Sequence, residues 1–120
     1  MSFEIHASPT CSCCHGWTSY LDAAGARTST VAEQDMPSFK MARAVPQALW
    51  SCHTAMIGGY VVEGHVPIAA VQRLLAERPA VDGIAVAGMP AGSPGMPGEQ
   101  NGPLQVMAFS PEGITLFGEY

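Results

Sequence analysis

The chain of 120 residues is nearly half hydrophobic and carries a formal net charge of -5. This length suits about one domain with its own core. Five Lys and Arg residues, with Lys40 as the single lysine, do not supply the clustered cations that nucleic-acid binding needs, so we exclude a nucleic-acid partner. No apolar run approaches the roughly 20 residues that span a bilayer, so we also expect no membrane insertion.

The first third of the chain predicts a strand, a cysteine-containing turn, a helix and a second strand. Residues 3–7 alternate between apolar and polar, as in a half-buried strand. From Trp17 onward, apolar residues recur at steps of three and four until Gly25, which predicts an amphipathic helix. Residues 27–33 are rich in β-branched side chains and predict the second strand.

The middle of the chain completes a β-α-β-α-β-β-α order. A short helix is expected over residues 39–45, and Pro46 interrupts it. Two apolar runs joined by Gly58-Gly59 predict a hairpin, because both central residues of a primed turn need positive φ. A last helix runs from Pro67 to Pro79. This order predicts an α/β, thioredoxin-like fold.

The C-terminal part differs in character. From Asp82 the chain is so rich in Gly and Pro that we expect a long loop without regular structure. Alternation on either side of residues 110–113 predicts a terminal hairpin. We therefore divide the chain into a thioredoxin-like core, residues 1–80, and an extension, residues 81–120, within one compact domain.

Three of the four cysteines, Cys11, Cys13 and Cys14, lie within four positions at the start of the first predicted helix. There the helix dipole lowers a thiol pKa, so Cys11-x-x-Cys14 is a redox candidate. A right-handed β-α-β unit brings the loop containing Cys52 toward the same helix end. The third thiol favours a soft metal such as Cu(I), and one thiolate can bridge two Cu(I) ions in a multinuclear cluster.

Other interpretations of these residues stay open. Four cysteines could form two structural disulfides, or a structural zinc site together with His53. The chain could also be a thiol–disulfide oxidoreductase, or a copper carrier without turnover. Among the remaining candidate ligands, His53 and His65 are favoured over His6 and His15, which we expect to be surface or locally bonded residues. Met89 and Met96 lie in the predicted loop, where gap-filling is as good an explanation as ligation.

Six motifs spread through nearly the whole chain carry a resemblance to a known family. They are Ser8-Pro-Thr-Cys-x-Cys-Cys14, Ser51-Cys-His-Thr-Ala55, Gly58-Gly-Tyr-Val61, Glu63-Gly-His-Val-Pro67, Arg73-Leu-Leu75 and Gly88-Met-Pro-x-Gly-Ser-Pro-Gly-Met96. Together they resemble the bacterial copper-resistance protein CopG family, whose members contain CxCC, rather than the DNA-binding repressors of the same name.

The resemblance implies a copper site and a set of ligands. It assigns four cysteines to a sulfur-bridged site holding several copper ions, and names Met96, then Met89, as ligands from the extension, with His53 and His65 at motif positions. The four cysteines are Cys11, Cys13, Cys14 and Cys52. In thioredoxins a cis-proline precedes the third strand. Here Cys52-His53-Thr54 stands in that place, which puts ordinary dithiol exchange in doubt.

The resemblance also implies a role and a location. Its members are associated with interconversion of Cu(I) and Cu(II) during detoxification, so a copper oxidoreductase activity is a hypothesis for this chain. It further implies a periplasmic protein whose signal peptide has been removed from the sequence as given. Expected partners are copper ions and either a periplasmic copper efflux system or an electron-transfer protein, with the chain itself a monomer.

Overall fold

A computed structural model describes residues 1–10 and 13–120, with Cys13 and Cys14 described by their backbone alone. The strands are β1 (Ser2–Ala7), β2 (Arg27–Ala32), β3 (His53–Ile57), β4 (Tyr60–Glu63), β5 (Gly83–Ala85), β6 (Gln105–Ser110) and β7 (Gly113–Glu119). The helices are α1 (Cys13–Ala23), α2 (Met36–Ala42) and α3 (Ile68–Glu77), with a 3-10 turn at Gln47–Leu49. Within the described residues, none of these helices combines the length and the apolar character that a bilayer crossing requires.

All seven strands of the described chain join one mixed sheet in the order β2-β1-β3-β4-β5-β6-β7. β1 runs parallel to β2 and antiparallel to β3, and β4 runs parallel to β5. The remaining neighbours pair antiparallel. The predicted mixed α/β class is thus confirmed, and the order of the first four strands is compatible with a thioredoxin-like arrangement.

Apolar side chains cover both faces of the sheet. The larger core cluster combines one face of the sheet with α1 and α3, and its largest fully buried members include Trp17, Phe3, Ile5, Leu21 and Leu74. A smaller cluster lies around the 3-10 turn, with Val45 and Leu49 packed against Val61, Ala85 and Phe109. The periodic apolar residues of the sequence therefore fold α1 and α3 onto the sheet.

The expectation of irregular chain from Asp82 is wrong for its first residues. Gly83–Ala85 forms β5, which pairs with β4 on one side and with β6 on the other. The Gly and Pro content of the following residues concealed a short apolar run, and Ile84 within it is completely buried. The predicted terminal hairpin is confirmed as β6 and β7, and it continues the sheet.

Residues 87–103, here called the methionine loop, leave the sheet after β5 and return at the neighbouring strand β6. The loop lies against the beginning of α1. A Cβ atom added to Gly16 would lie 2.3 Å from the carbonyl oxygen of Gly95, and one added to Gly95 would lie 2.4 Å from the backbone nitrogen of Trp17. Since neither residue has room for a side chain, two glycines permit the close approach of loop and helix.

We expect Gly16→Ala to destabilise the protein by about 1–2 kcal/mol, because the added methyl group overlaps the backbone of the methionine loop. This is the net loss, so the overlap has to outweigh the gain of about 1 kcal/mol that alanine normally brings to a helix when it replaces glycine. Chemical denaturation measures the free energy of unfolding. Ser19→Ala, at an exposed position of α1, is the matched control and should stay within about 0.5 kcal/mol of the wild type. A Gly16→Ala protein as stable as this control would contradict the contact.

Candidate metal centre

The β3–β4 hairpin and helix α1 bring the residues of the candidate site together. In the sheet, His53 at the start of β3 pairs with Ala7 at the end of β1, where the chain turns toward α1. The indole of Trp17, one turn into α1, stacks on the His53 imidazole with ring centroids 4.4 Å apart. Trp17 is fixed in turn by donating its indole N–H to the carbonyl of Val66 at 3.0 Å. The first turns of α1 therefore lie over His53.

Three candidate ligands converge beneath this helix: Cys52, His53 and His65. The Cys52 Sγ atom lies 3.2 Å from His53 Nδ1 and 3.3 Å from His65 Nε2. All three ligand atoms lie within 4.8 Å of one another. Both imidazoles are completely buried, whereas Cys52 is partly exposed. The group is thus partly exposed at its sulfur and buried at its nitrogens.

Backbone carbonyls fix the tautomers of both histidines. His53 Nε2 donates to the carbonyl of Gly64 at 2.9 Å, and His65 Nδ1 donates to the carbonyl of Pro94 at 2.7 Å. A carbonyl oxygen only accepts, so these nitrogens carry the protons. In the neutral rings, His53 Nδ1 and His65 Nε2 therefore hold lone pairs, and both face Cys52 Sγ.

Burial keeps the two imidazoles neutral. The pKa of His53 is lowered to about 3, chiefly by desolvation and then by the neighbouring His65, while the hydrogen bond to Gly64 opposes the shift. Desolvation also lowers the pKa of His65, although its hydrogen bond to Pro94 opposes the shift. A neutral imidazole is the form that binds metal, so neither ring has to lose a proton near pH 7 before ligation.

The spacing of the ligand atoms fits a small transition-metal ion. Metal–sulfur and metal–nitrogen bonds of about 2.3 and 2.0 Å in tetrahedral geometry place sulfur and nitrogen about 3.5 Å apart. The two sulfur–nitrogen distances of 3.2 and 3.3 Å are close to this value. Thiolate and imidazole together suit copper or zinc rather than calcium or magnesium.

The methionine loop contacts the candidate site and α1 at three points, through two hydrogen bonds and one packing contact. Ser51, just before Cys52, donates its hydroxyl to the carbonyl of Gly88 at 2.5 Å. His65 binds Pro94, and Gly95 packs against α1. Met89 and Met96 directly follow Gly88 and Gly95, so both predicted methionines lie next to these anchor points. Met96 is half-buried and Met89 is 48% exposed.

The other predicted cysteines lie at the edge of the described structure. Cys11 lies outside the described residues. Cys13 and Cys14 form the first turn of α1, and their side chains lie outside the described part. Cys13 is one helical turn before Trp17, about 6 Å along the axis, and Trp17 is the residue of α1 whose side chain stacks on His53. Convergence of these thiols with Cys52 remains a prediction.

The two disfavoured histidines lie apart from the site. His15 is exposed on α1. His6 is buried against Phe39 and contacts Glu33 through Nδ1 at 2.7 Å and Glu4 through Nε2 at 2.5 Å. Neither belongs to the group of close ligand atoms around Cys52.

Sequence reasoning missed a buried ion pair next to the site. Lys40 on α2 donates to the Glu63 carboxylate at the end of β4, and both side chains are almost fully buried. Burial raises the pKa of Glu63, while the nearby Lys40 ammonium opposes the shift. A charged residue within the apolar run 60–63, together with the single lysine of the chain, was the available signal.

Comparison with known proteins places the whole chain in a family. Residues 49–96 match a family model described as a protein of unknown function, DUF411. A solved structure named copper resistance protein CopG, form 2, is 39% identical, covers 99% of this chain and 97% of its own, and superposes with a TM-score of 0.90. Form 1 of the same name is 38% identical over 100% of this chain and 97% of its own, also with a TM-score of 0.90. Among curated protein sequences, none matches this chain significantly.

The buried neutral state of His53 predicts acid sensitivity of the metal-free protein. Its folded pKa of about 3 lies below the ordinary value of 6.5, so below pH 6.5 the unfolded chain takes up a proton that the folded chain does not. Stability is then lost as the pH falls from 6.5 toward 3. Between pH 7 and pH 5, His53 should contribute a loss of about 2 kcal/mol.

Denaturant titrations of metal-free protein at pH 7 and pH 5 measure this contribution. His53→Gln, which does not titrate in this range, should lose less of its unfolding free energy than the wild type does over the same interval. Equal losses in the two proteins would show that His53 is not held in its neutral form.

Proposed function

Because the chain belongs to the CopG family of copper resistance proteins, we propose that it binds Cu(I) at Cys52, His53 and His65 and interconverts Cu(I) and Cu(II). The observation that carries this proposal is the convergence of two fixed, neutral imidazoles on one cysteine sulfur. Two imidazoles and a thiolate serve both oxidation states, since sulfur stabilises Cu(I) and nitrogen stabilises Cu(II).

The remaining sulfur ligands would come from the first turn of α1 and from the methionine loop. We assign Cys11, Cys13 and Cys14 to the same site as Cys52, where thiolates that bridge metal ions would hold several copper ions. The stacking of the Trp17 side chain, one turn after Cys13, on the His53 imidazole supports this assignment. Met96 and then Met89 would add thioether ligands, so the extension at residues 81–120 contributes to the site of the core at residues 1–80.

The proposed reaction is a one-electron exchange. Oxidation of bound Cu(I) to Cu(II) releases one electron, which passes to an external one-electron acceptor, and reduction reverses the step. When copper binds, the Cys52 thiol would release its proton to the solvent. The protein would offer neutral imidazoles as ligands and exclude water from the nitrogen side. A carrier that binds copper without this exchange is the alternative, and turnover distinguishes the two.

We further propose a periplasmic location, where a copper efflux system or an electron-transfer protein would be the partner. Detoxification by change of oxidation state requires a compartment in which copper arrives and a partner that removes either the ion or the electron. The chain would act there as a monomer.

An anaerobic titration of the reduced protein with Cu(I) tests the binding proposal. We expect more than one tightly bound copper per chain, with thiolate-to-copper absorption that rises in proportion. Cys52→Ser and His65→Gln should each weaken Cu(I) binding by about tenfold or more, measured by competition with a chelator.

His15→Gln is the matched control, because His15 is exposed and lies outside the group. It should bind Cu(I) like the wild type. For the thioethers, Met96→Leu should weaken binding, whereas Met41→Leu on the exposed face of α2 should not. One colourless Zn(II) bound in preference to Cu(I) would identify a structural zinc site instead.

Catalytic amounts of protein distinguish an oxidoreductase from a carrier. We expect the wild type to accelerate the oxidation of excess Cu(I) by a one-electron acceptor, and Cys52→Ser to abolish the acceleration. Stopped-flow absorption of a Cu(I) chelate measures the rate. Identical rates with and without protein would leave binding alone. Insulin reduction in the absence of copper measures any dithiol activity separately.

A further inference from the structure

A single buried carboxylate, that of Glu63, connects the chain segments that carry the candidate ligands. It receives the backbone N–H of Ser51 at 2.8 Å and the hydroxyl of Thr54 at 2.6 Å. Ser51 precedes Cys52, and Thr54 follows His53. Glu63 itself lies two residues before His65. Ser51, Thr54 and Glu63, which share these hydrogen bonds, are therefore each one or two residues from a candidate ligand in sequence.

Lys40 completes this arrangement from the other face of the sheet. Its ammonium donates to Glu63 and, at 3.0 Å, to the Thr54 hydroxyl. The Lys40 side chain is 4% exposed and the Glu63 side chain is completely buried. Among the described residues, no buried side-chain nitrogen or oxygen lacks a hydrogen-bond partner. Each side-chain nitrogen and oxygen of the network therefore has at least one hydrogen-bond partner.

The arrangement continues into the methionine loop. Ser51 uses its backbone N–H for Glu63 and its hydroxyl for the carbonyl of Gly88. A Cβ atom added to Gly64 would lie 2.8 Å from the Ser51 Cβ atom and 2.5 Å from the carbonyl oxygen of Val86. Ser51 is thus held between the Glu63 carboxylate, the backbone that binds His53, and the loop.

Stability alone does not explain a buried ion pair at this place. Removing two ions from water costs several kcal/mol, and apolar residues of similar volume often stabilise a protein as well or better. What apolar residues cannot supply is an acceptor for the Ser51 N–H. A hydrogen-bonded carboxylate fixes the direction of the chain entering Cys52, whereas an apolar contact would not.

We propose that Lys40 and Glu63 are positioning residues that hold Cys52 against the two imidazoles through the Ser51 N–H, and so set the affinity of the site for copper. This inference rests on the proposed function for its copper readout. Neither residue belongs to the group of close ligand atoms found among the described residues. Lys40 orients the carboxylate, and the carboxylate orients the segment that bears the sulfur.

Two double variants separate positioning from charge and from packing. Lys40→Met with Glu63→Gln removes both charges but keeps an amide oxygen that accepts from Ser51. Lys40→Met with Glu63→Leu removes both charges and the acceptor. The two proteins have the same net charge and similar side-chain volumes, so their difference reports the hydrogen bonds that residue 63 accepts from the Ser51 N–H and from the Thr54 hydroxyl. Adding Thr54→Val to both proteins removes the second bond from the comparison and leaves the Ser51 bond. Circular dichroism and denaturant titration establish that each is folded.

Cu(I) affinity measured by chelator competition is the first readout. The Cu(I) affinity of the Gln variant should remain within about threefold of the wild-type affinity. The affinity of the Leu variant should fall by about tenfold or more, as when an outer residue that orients a metal ligand is lost. Equal affinities in the two variants would overturn the proposal, because the acceptor for the Ser51 N–H would then not set the affinity. If both variants bound much more weakly than the wild type, charge rather than orientation would matter.

The second readout does not depend on copper. In reduced, metal-free protein, peptide mass spectrometry follows the rate at which an uncharged reagent alkylates Cys52. Release of the Ser51 segment should make this rate at least about threefold faster in the Leu variant than in the Gln variant. Equal rates, or a slower rate in the Leu variant, would overturn the positioning role. If the wild type bound no copper but the rates differed as expected, the proposed function would fail and the positioning role would stand.

Discussion

Two carbonyl oxygens decide which nitrogen of each buried imidazole is free, and the candidate site depends on that choice. The carbonyl oxygens of Gly64 and Pro94 each accept a hydrogen bond from the N–H of one ring, so the unprotonated nitrogen of that ring faces Cys52. The first carbonyl belongs to the end of the hairpin and the second to the methionine loop. The ligand group is therefore complete only when sheet and loop are both in place.

Burial gives the two kinds of polar group around the site different roles. The imidazoles lose their charge in the interior, which suits ligation. Lys40 and Glu63 instead form a pair with hydrogen bonds to Thr54 and to the Ser51 backbone. The neutral imidazoles thus face the candidate metal position, and the paired charges of Lys40 and Glu63 hold the neighbouring chain segments by hydrogen bonds.

The sequence allowed the framework of the site to be predicted because its determinants are local. Apolar periodicity predicted α1 and α3, and Gly58-Gly59 predicted the hairpin. In that hairpin Thr54 pairs with Glu63, so His53 and His65 had to come near each other. The candidate histidines follow from this register and from the neighbouring Cys52.

The missed features depend on contacts between distant segments. Lys40 and Glu63 are 23 residues apart and meet only because α2 covers the sheet. The tautomer of His65 is set by Pro94, 29 residues away, within a loop without periodicity. β5 is only three residues long, and its pairing with β4 and β6 rather than its composition makes it a strand.

The methionine loop begins and ends on adjacent strands, since β5 and β6 pair directly. The loop therefore closes between two neighbouring strands, and doubling the length of such a loop costs only about 0.6 kcal/mol of chain entropy. Changes of length away from Gly88, Pro94 and Gly95 therefore cost little chain entropy, whereas changes at these three residues disturb the contacts with Ser51, His65 and α1. Variation of the loop is thus inexpensive between its contacts with the candidate site and restricted at them.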